Sequence, residues 1–309
     1  MPGRDKHPRI ARSETRRTWA VTALKIVSLL SLIRVYDIVL VGLAQYLSCI
    51  FFFTRHAPDF SVLTDPGFFI LVVCTWMCVA AGYIINFFYD KNKDRINAPQ
   101  KGSLDGYVTQ STTLKLYLTL NAAAIALSLY VSPRSVVFFA GFAFLLWCYS
   151  HKLKKLPLLS NLFRASLTVV PIFAVFFYRK VVEVDAVFWH GAFLLSVLTC
   201  LSLLNDLNNR RGDAACGYRT LPVVRGERYA ALAAAIAAAT AAASSVAVAV
   251  SERDNAFFFY FVSAGACLAG GAVVLAARPG DGLFRVAYAG IKLLILLGLL
   301  CIPLRTVPV

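Results

Sequence analysis

The sequence predicts an all-α, polytopic membrane protein with about nine transmembrane helices. Of its 309 residues, 59% are hydrophobic and 15% are charged, whereas soluble domains usually contain about a quarter charged residues. Apolar runs long enough to cross a bilayer, which takes about 20 helical residues, recur along the chain. A single helical bundle therefore fits this chain better than two soluble domains.

Nine apolar segments are separated by polar or charged stretches. Their approximate bounds are 22–53, 67–89, 113–132, 135–149, 161–178, 186–205, 228–250, 256–277 and 284–303. The third and fourth segments are divided at Ser132, Pro133 and Arg134, because proline and polar residues interrupt an apolar helix. The sequence predicts one transmembrane domain over residues 21–309, preceded by a disordered basic arm over residues 1–20.

The net charge of +15 follows the predicted membrane topology. With the N-terminus inside, 20 lysines and arginines fall in the arm or in inner loops, and six fall in outer loops. This asymmetry obeys the positive-inside rule. The basic residues therefore indicate orientation in a bilayer and do not indicate a nucleic-acid partner.

Eight cysteines are scattered mainly through the apolar segments. None forms a CxxC pair or a Cys/His cluster with zinc-binding spacing. Cys74 and Cys78 can share one helix face, but small packing residues are the simpler interpretation. We expect reduced, structural thiols.

The second apolar segment ends in a polar pattern of one asparagine and two aspartates. Asn86, Asp90 and Asp94 are spaced i, i+4 and i+8, a spacing that keeps all three on one broad helix face. Two carboxylates one turn apart repel each other unless a cation lies between them. Such oxygen ligands suit Mg²⁺, which proteins typically hold with one or two carboxylates together with substrate phosphates.

The sixth apolar segment ends in a similar pattern. Asp206, Asn209 and Asp213 are spaced i, i+3 and i+7, and they share one face if the helix continues past Gly212. The alternation of loops places this helix end on the same side of the membrane as the first pattern. Each acid alone could be an ordinary solvated boundary residue. Their repeated spacing and common side instead predict a two-metal site that binds a diphosphate.

Basic residues on the same predicted side complete this site, because a diphosphate brings several negative charges. Lys101 follows the first acidic pattern, and Lys154 follows the fourth apolar segment. Arg34 and Asp37 lie one turn apart inside the first segment, where a charge is costly and marks a functional candidate. A self-satisfied ion pair and a later helix start are the alternatives for these two. His151 is interpreted as a loop residue.

Four stretches together resemble the UbiA superfamily of intramembrane prenyltransferases over essentially the whole membrane region. The first acidic pattern matches its NxxxDxxxD motif, and the second, followed by residues 217–222, is similar to its DxxDxxxD motif. Residues 149–154 with Asn161 resemble its Y-S-x-x-L-K segment, and Arg34 with Asp37 resembles the pattern of its first helix. Two residues depart from the family: Asn209 stands where many members have aspartate, and Asp37 where asparagine is usual.

The resemblance implies a nine-helix bundle around a central cavity, in which Mg²⁺ and a polyprenyl diphosphate bind. An acceptor would capture the allylic cation, which an apolar, aromatic-rich cavity protects from water. The residues implied in metal binding are Asp90, Asp94, Asp206 and Asp213. The residues implied in substrate binding are Asn86, Asn209, Lys101, Lys154, Arg34 and Asp37, with Tyr149 near the reacting carbon.

The expected function is Mg²⁺-dependent transfer of a polyprenyl group to a hydrophobic acceptor. The charge asymmetry places the N-terminus and active site on the cytoplasmic side, and the resemblance implies a bacterial inner membrane. The second motif looks most similar to bacterial homologues of enzymes that prenylate geranylgeranylglyceryl phosphate, and an aromatic quinone precursor is the competing acceptor. A non-catalytic accessory protein that binds prenyl diphosphate and a transporter of an anionic lipid are the alternatives. Charges gathered at one membrane face disfavour the transporter.

Overall fold

The structure is a computed structural model that describes residues 30, 33–53, 57–97, 109–179 and 184–309. Within that part of the chain, nine helical spans are long and apolar enough to cross a membrane. They are α1 Val35–Leu47, continued by a π-helical turn Ser48–Phe52, then α2 Pro66–Asn97, α3 Gln110–Val131, α4 Pro133–His151, α5 Leu159–Arg179, α6 Val184–Ala215, α7 Glu227–Ser251, α8 Phe257–Ala277 and α9 Asp281–Cys301. The prediction of an all-α, multi-pass membrane protein is confirmed, and the predicted arm over residues 1–20 lies outside the described residues.

The boundary between α3 and α4 lies where the sequence predicts it. Ser132 has an extended backbone, and its hydroxyl accepts a hydrogen bond from the Ser135 amide at 3.1 Å. Pro133 occupies the first turn of α4, where its missing N–H costs no helical hydrogen bond. A capping serine followed by proline thus ends one helix and starts the next.

Two helices are longer than their apolar segments. α2 continues to Asn97 and α6 to Ala215, well past the apolar segments predicted to end near residues 89 and 205. The added turns carry the two acidic patterns, including Gly212, through which α6 runs without interruption. Hydropathy alone could not locate these ends because the added turns are polar.

Each half of the bundle has its own hydrophobic core. The core of α1–α5 includes Phe68 and Phe139, and the core of α6–α9 includes Leu203 and Phe284. A smaller cluster centred on Val169, where α5 faces α6, joins the two halves. Helix pairs that pack in this way let polar side chains on α2, α5 and α6 approach one another.

The alanine-rich helix α7 packs closely between α6 and α8. Its alanines at positions 230, 234, 238 and 241 are buried, and small side chains let neighbouring helices approach. Gly265 of α8 lies directly against the side chain of Ser245, so that a Cβ at this position would collide with the serine hydroxyl. All eight cysteines are free thiols, as predicted.

The alternation of helices brings four helix ends together. The C-terminal ends of α2, α4 and α6 and the N-terminal end of α5 lie at one end of the bundle, which we call the inner end. The opposite end, where α1 and α5 finish and α6 begins, is called the outer end. Most of the predicted site residues belong to the inner end.

Candidate active site

Asp90 of the first acidic pattern is at the centre of a group of hydrogen bonds. It is 6% exposed, and its Oδ1 accepts a hydrogen bond from Lys154 Nζ at 2.6 Å. The same ammonium donates to Asn86 Oδ1 at 3.3 Å. The Tyr218 hydroxyl, from the chain that follows α6, also donates to Asp90 Oδ1. Three of the predicted site residues are therefore in one hydrogen-bonded group.

Lys154 reaches this group because α4 ends just before it. The chain leaves α4 at His151 and forms a 3₁₀ turn, Leu153–Lys155, that turns the lysine inward until it is 4% exposed. Its ammonium lies 5.4 Å from the ring centre of Tyr89 and 5.7 Å from that of Tyr218. Aromatic faces and a carboxylate together stabilise a buried cation.

His151 lies at the edge of this group and contacts it through Tyr89. Its Nδ1 is 3.1 Å from the Tyr89 hydroxyl, and its ring stacks on Trp147 with the centroids 5.3 Å apart. It is the last residue of α4, and its contacts are with aromatic side chains. The prediction that His151 is a loop residue is wrong, because α4 continues to it; that it is not a ligand stays a prediction.

The two aspartates of the second acidic pattern are buried more deeply than Asp90. Asp206 is 1% exposed and Asp213 is fully buried. The Thr220 hydroxyl donates to Asp213 Oδ2 at 3.1 Å, and the Tyr218 amide donates to the Asp213 carbonyl at 2.9 Å. Asn209 makes a contact within its own helix, since its side-chain Nδ2 donates to the backbone carbonyl of Asn205 at 2.9 Å.

Tyr218 connects the two acidic patterns. Its backbone amide is held by Asp213 of α6, while its hydroxyl is held by Asp90 of α2. Burial, and after it the hydrogen bond to Asp90, raise the pKa of Tyr218. The phenol therefore stays protonated and donates a hydrogen bond to the carboxylate. The sequence pattern alone did not single out this tyrosine.

Arg164 of α5 is a second residue that the sequence analysis did not assign. Its Nε donates to the Tyr149 hydroxyl at 2.7 Å, and its Nη1 lies 3.5 Å from Asp206 Oδ1. Tyr149 is itself buried, with 8% exposure. A single arginine inside an otherwise apolar segment was a signal that could have identified it, because a charge within a membrane helix is a functional candidate by default.

Arg34 and Asp37 form an ion pair at the start of α1. Arg34 Nε lies 2.8 Å from Asp37 Oδ2, which also accepts a hydrogen bond from the Tyr83 hydroxyl at 2.9 Å. Arg34 has a left-handed backbone with φ 52° and directly precedes α1, a conformation that costs free energy for any residue other than glycine. Tyr83 precedes Asn86 on α2, so this pair borders the inner site.

The described carboxylates and amides fit a divalent ion that is held partly by substrate. Among the described residues there is no group of three or more His, Cys, Asp or Glu side chains close enough to hold a metal by themselves. Mg²⁺ needs only one or two carboxylates when phosphate oxygens supply other ligands, and Asp90, Asp206 and Asp213 offer buried carboxylate oxygens of this kind. The side chain of Asp94, and the whole of Lys101, lie outside the described residues.

Comparisons with known proteins show which family the sequence matches. Residues 43–285 match the UbiA prenyltransferase family. The chain is 29% identical over 212 residues to the digeranylgeranylglyceryl phosphate synthase of Pyrococcus furiosus, which covers 68% of this chain and 73% of the relative. It is 32% identical over 156 residues to the Thermococcus gammatolerans protein of the same name, covering 50% of this chain and 55% of that one. The chain thus spans between about half and three quarters of these curated relatives.

Two solved structures share the fold. One is of a digeranylgeranylglyceryl phosphate synthase, with a TM-score of 0.70 at 18% identity, covering 91% of this chain and 98% of that one. The other is a UbiA homolog from Archaeoglobus fulgidus bound to GPP and Mg²⁺, with a TM-score of 0.62 at 13% identity, covering 89% and 99%. At these identities the likeness shows the nine-helix fold.

Proposed function

The chain belongs to the UbiA prenyltransferase family, and we propose that it transfers a polyprenyl group from a polyprenyl diphosphate to a hydrophobic acceptor with the help of Mg²⁺. The observation that carries this proposal is the meeting of the two acidic helix ends through Tyr218. The buried Lys154 lies against one of these ends, and Arg164, whose side chain is 32% exposed, lies against the other. Buried carboxylates next to cations can bind metal and diphosphate together.

The metal ligands we assign are Asp90, Asp94, Asp206 and Asp213, with Asn86 and Asn209 supporting them. Bound Mg²⁺ neutralises the diphosphate and makes it a better leaving group. Three of these four carboxylates are buried at the inner end, which supports the assignment because a bound cation offsets the cost of burying a carboxylate.

The side chains around these carboxylates bind the substrate. Lys154 is assigned to supply positive charge for the diphosphate, and Lys101 is assigned the same role. Tyr149 is assigned a place near the reacting carbon, since it accepts a hydrogen bond from Arg164, which lies 3.5 Å from Asp206 at the inner end of α6. Arg34 and Asp37 border the site through Tyr83, which fits a role at the entrance for substrate.

We assign a lipid glycerophosphate as the acceptor in preference to an aromatic quinone precursor. The support is that the curated relatives named above are digeranylgeranylglyceryl phosphate synthases. No contact among the described residues favours the accessory or the transporter alternative.

The orientation assigned has the active site facing the cytoplasm. The excess of lysine and arginine in the loops at the inner end supports it. The relatives named above are archaeal, and the placement in a bacterial inner membrane stays a prediction.

Mass spectrometry of reaction products tests this function. Membranes that contain the protein would receive Mg²⁺, prenyl diphosphates of several lengths, and glycerophosphate, phenolic and naphthoate acceptors. We expect an acceptor enlarged by whole isoprene units, and no product in EDTA. Asp90→Asn should lower the rate by at least about a hundredfold, the scale of losing a main electrostatic group at a reacting centre.

The control is Asp254→Asn, which changes an exposed aspartate near the outer end and should leave the rate unchanged. Product formed equally by the Asp90→Asn variant would overturn the assignment of the first motif. Absence of product with every acceptor, together with Mg²⁺-dependent binding of prenyl diphosphate, would favour the accessory alternative instead.

A further inference from the structure

Arg164 links two groups to which the proposed function gives separate roles. Through Nε it donates to the Tyr149 hydroxyl at 2.7 Å, and through Nη1 it lies 3.5 Å from Asp206. Its guanidinium carbon is 5.9 Å from the centre of the Tyr149 ring. One planar side chain therefore touches both the residue placed near the reacting carbon and a carboxylate of the second acidic pattern.

The packing of α5 on α6 fixes where this arginine lies. A second polar contact joins the same two helices, since the Ser202 hydroxyl donates to Asn161 Oδ1 at 2.6 Å, and both of these residues are buried. Asn161 and Arg164 are three residues apart on α5, and Ser202 and Asp206 are four apart on α6, so both contacts lie within about one turn on this antiparallel pair of helices. Arg164 is thus held in place by the helix pairing as well as by its own hydrogen bond.

We propose that Arg164 is a positioning residue for prenyl transfer, which orients the Tyr149 hydroxyl and serves as the internal counter-ion of Asp206. This inference rests on the proposed function for its kinetic consequences. It assigns to Arg164 two effects, on Tyr149 and on Asp206, that can be measured apart.

The effect on Tyr149 follows from hydrogen-bond chemistry. A guanidinium only donates, so the Tyr149 oxygen is the acceptor in this bond and its own proton points elsewhere. The tyrosine can then donate to a substrate oxygen while Arg164 holds its ring and hydroxyl in place. Small displacements of such a group are expensive in rate, because reacting groups must be aligned closely.

The effect on Asp206 follows from charge. A cation close to a carboxylate competes with a divalent ion for the same oxygens, because the two cations repel each other. Arg164 also interacts electrostatically with Asp213. We therefore expect Arg164 to weaken the binding of a metal alone at the second acidic pattern. We expect its guanidinium to favour the binding of a metal together with an anionic diphosphate.

Lysine at position 164 separates the two effects. Arg164→Lys keeps the charge near Asp206, but lysine lacks the planar fork that lets arginine donate to Tyr149 and lie close to Asp206 at once. Arg164→Gln removes the charge as well. The matched control is Arg179→Lys, because Arg179 is the last residue of the same helix and pairs with Asp59 at the outer end, with the nitrogen and oxygen 2.8 Å apart.

The first measurement is Mn²⁺ affinity by electron paramagnetic resonance on purified protein, which needs no turnover. Arg164→Gln should bind Mn²⁺ about tenfold more tightly than the parent protein, since a nearby positive charge is gone. Arg164→Lys, Tyr149→Phe and Arg179→Lys should bind it with unchanged affinity. Equal affinity of Arg164→Gln and the parent protein would overturn the counter-ion role.

The second measurement is a kinetic double-mutant cycle on the transfer reaction. Arg164→Lys and Tyr149→Phe should each lower kcat by about tenfold to a hundredfold with little change in KM, and the double variant should be no slower than Tyr149→Phe alone. Arg179→Lys should match the parent protein. Independent, multiplicative losses in the double variant, or full activity of Arg164→Lys, would overturn the positioning role.

Failure of the proposed function has a different signature. If the parent protein forms no product with any acceptor, the proposed function fails, whereas the Mn²⁺ comparison still decides whether Arg164 neutralises Asp206. Melting temperatures of all variants, measured in the same detergent, show whether each one is folded. A folded Arg164→Lys variant with lost kcat and unchanged Mn²⁺ affinity is the result that the positioning role requires.

Discussion

The inner and outer ends of the bundle both bury a carboxylate beside a cation, but the two carboxylates are used differently. At the outer end Glu252 is 3% exposed and both of its oxygens are bonded. Arg305 Nε lies 3.1 and 3.2 Å from the two oxygens, and Asn255 donates to Oε2 at 2.7 Å. At the inner end, the described bonds from Lys154 and Tyr218 both converge on Oδ1 of Asp90.

This difference indicates what each end does. Arg305 also donates to the Phe52 carbonyl at 2.9 Å and lies over the Phe52 ring. The group of Glu252, Asn255 and Arg305, which we call the outer group, therefore links the π-helical turn after α1 to the 3₁₀ turn Ile302–Thr306. Such a saturated group stabilises one arrangement and offers no place to a ligand. At the inner end, Lys154 lies against Asp90. A metal could take over the carboxylate and a diphosphate could take over the lysine, which is what a binding site requires.

The largest expected change in stability follows from breaking the outer group. Glu252→Gln removes the negative charge that faces Arg305 and His190, whose Nε2 is 3.4 Å from Oε1. Loss of one partner of a buried pair costs about 3–5 kcal/mol, and we expect about 2–3 kcal/mol here because Arg305 is 20% exposed. The melting temperature in detergent should fall by about 5 °C.

Prenyl transfer by the surviving folded Glu252→Gln protein should match the parent rate. This combination of lost stability and kept activity would confirm that the outer group is structural. A variant that melts normally but turns over slowly would instead couple the outer end to the reaction, and the comparison between the two ends would fail.

Two tyrosines allow a matched test of the same comparison. Tyr218 donates to Asp90 at the inner end, and Tyr178 donates to Asp65 at the outer end at 2.6 Å. A hydrogen bond to a charged group contributes about 1.5–3 kcal/mol. We therefore expect Tyr218→Phe to lower kcat/KM by about tenfold, because the loop after α6 loses its hold on α2.

Tyr178→Phe removes an equivalent hydroxyl and should leave kcat/KM unchanged while it lowers the melting temperature slightly. Initial rates at several Mg²⁺ concentrations and a thermal melt would be measured for both variants. Equal rates for Tyr218→Phe and the parent protein would mean that the link between the acidic helix ends is not needed for turnover.

The fold could be predicted from the sequence largely because membrane helices satisfy their own backbone and must be apolar over their whole length. All nine spans, and the break at Pro133, follow from that local rule. The ends of α2 and α6 did not follow from it, because there the helices continue through polar residues. The helical spacing of the acidic residues still predicts common faces for them.

The contacts of the site could be predicted less well than its members. Asp90, Lys154 and Asp206 stand out in the sequence as charges at segment ends, whereas Tyr218 lies 128 residues from Asp90 and looks like an ordinary loop tyrosine. The group around Glu252 was missed for the same reason, since Arg305 is 53 residues away. Pairings between distant segments depend on how helices pack, and no local spacing encodes them.

The smallest expected effect is at the exposed edge of the outer end. Hydrogen bonds from Ser61, and after them the one from Arg179, lower the pKa of Asp59. A lowered pKa in the folded state means that this group stabilises the protein above its ordinary pKa of 3.8, and that the contribution is lost as the pH falls through the lower folded value.

Solvent screens this pair, because Asp59 is 31% and Arg179 is 23% exposed. Asp59→Asn should therefore lower the melting temperature at pH 7 by only about 1 °C, with prenyl transfer unchanged. The difference between parent and variant should shrink when the melts are repeated toward pH 3. A difference that grows on acidification would have the wrong sign for a carboxylate of lowered pKa. A drop in melting temperature as large as that of Glu252→Gln would mean that solvent exposure does not weaken the Asp59–Arg179 ion pair relative to the Glu252–Arg305 pair.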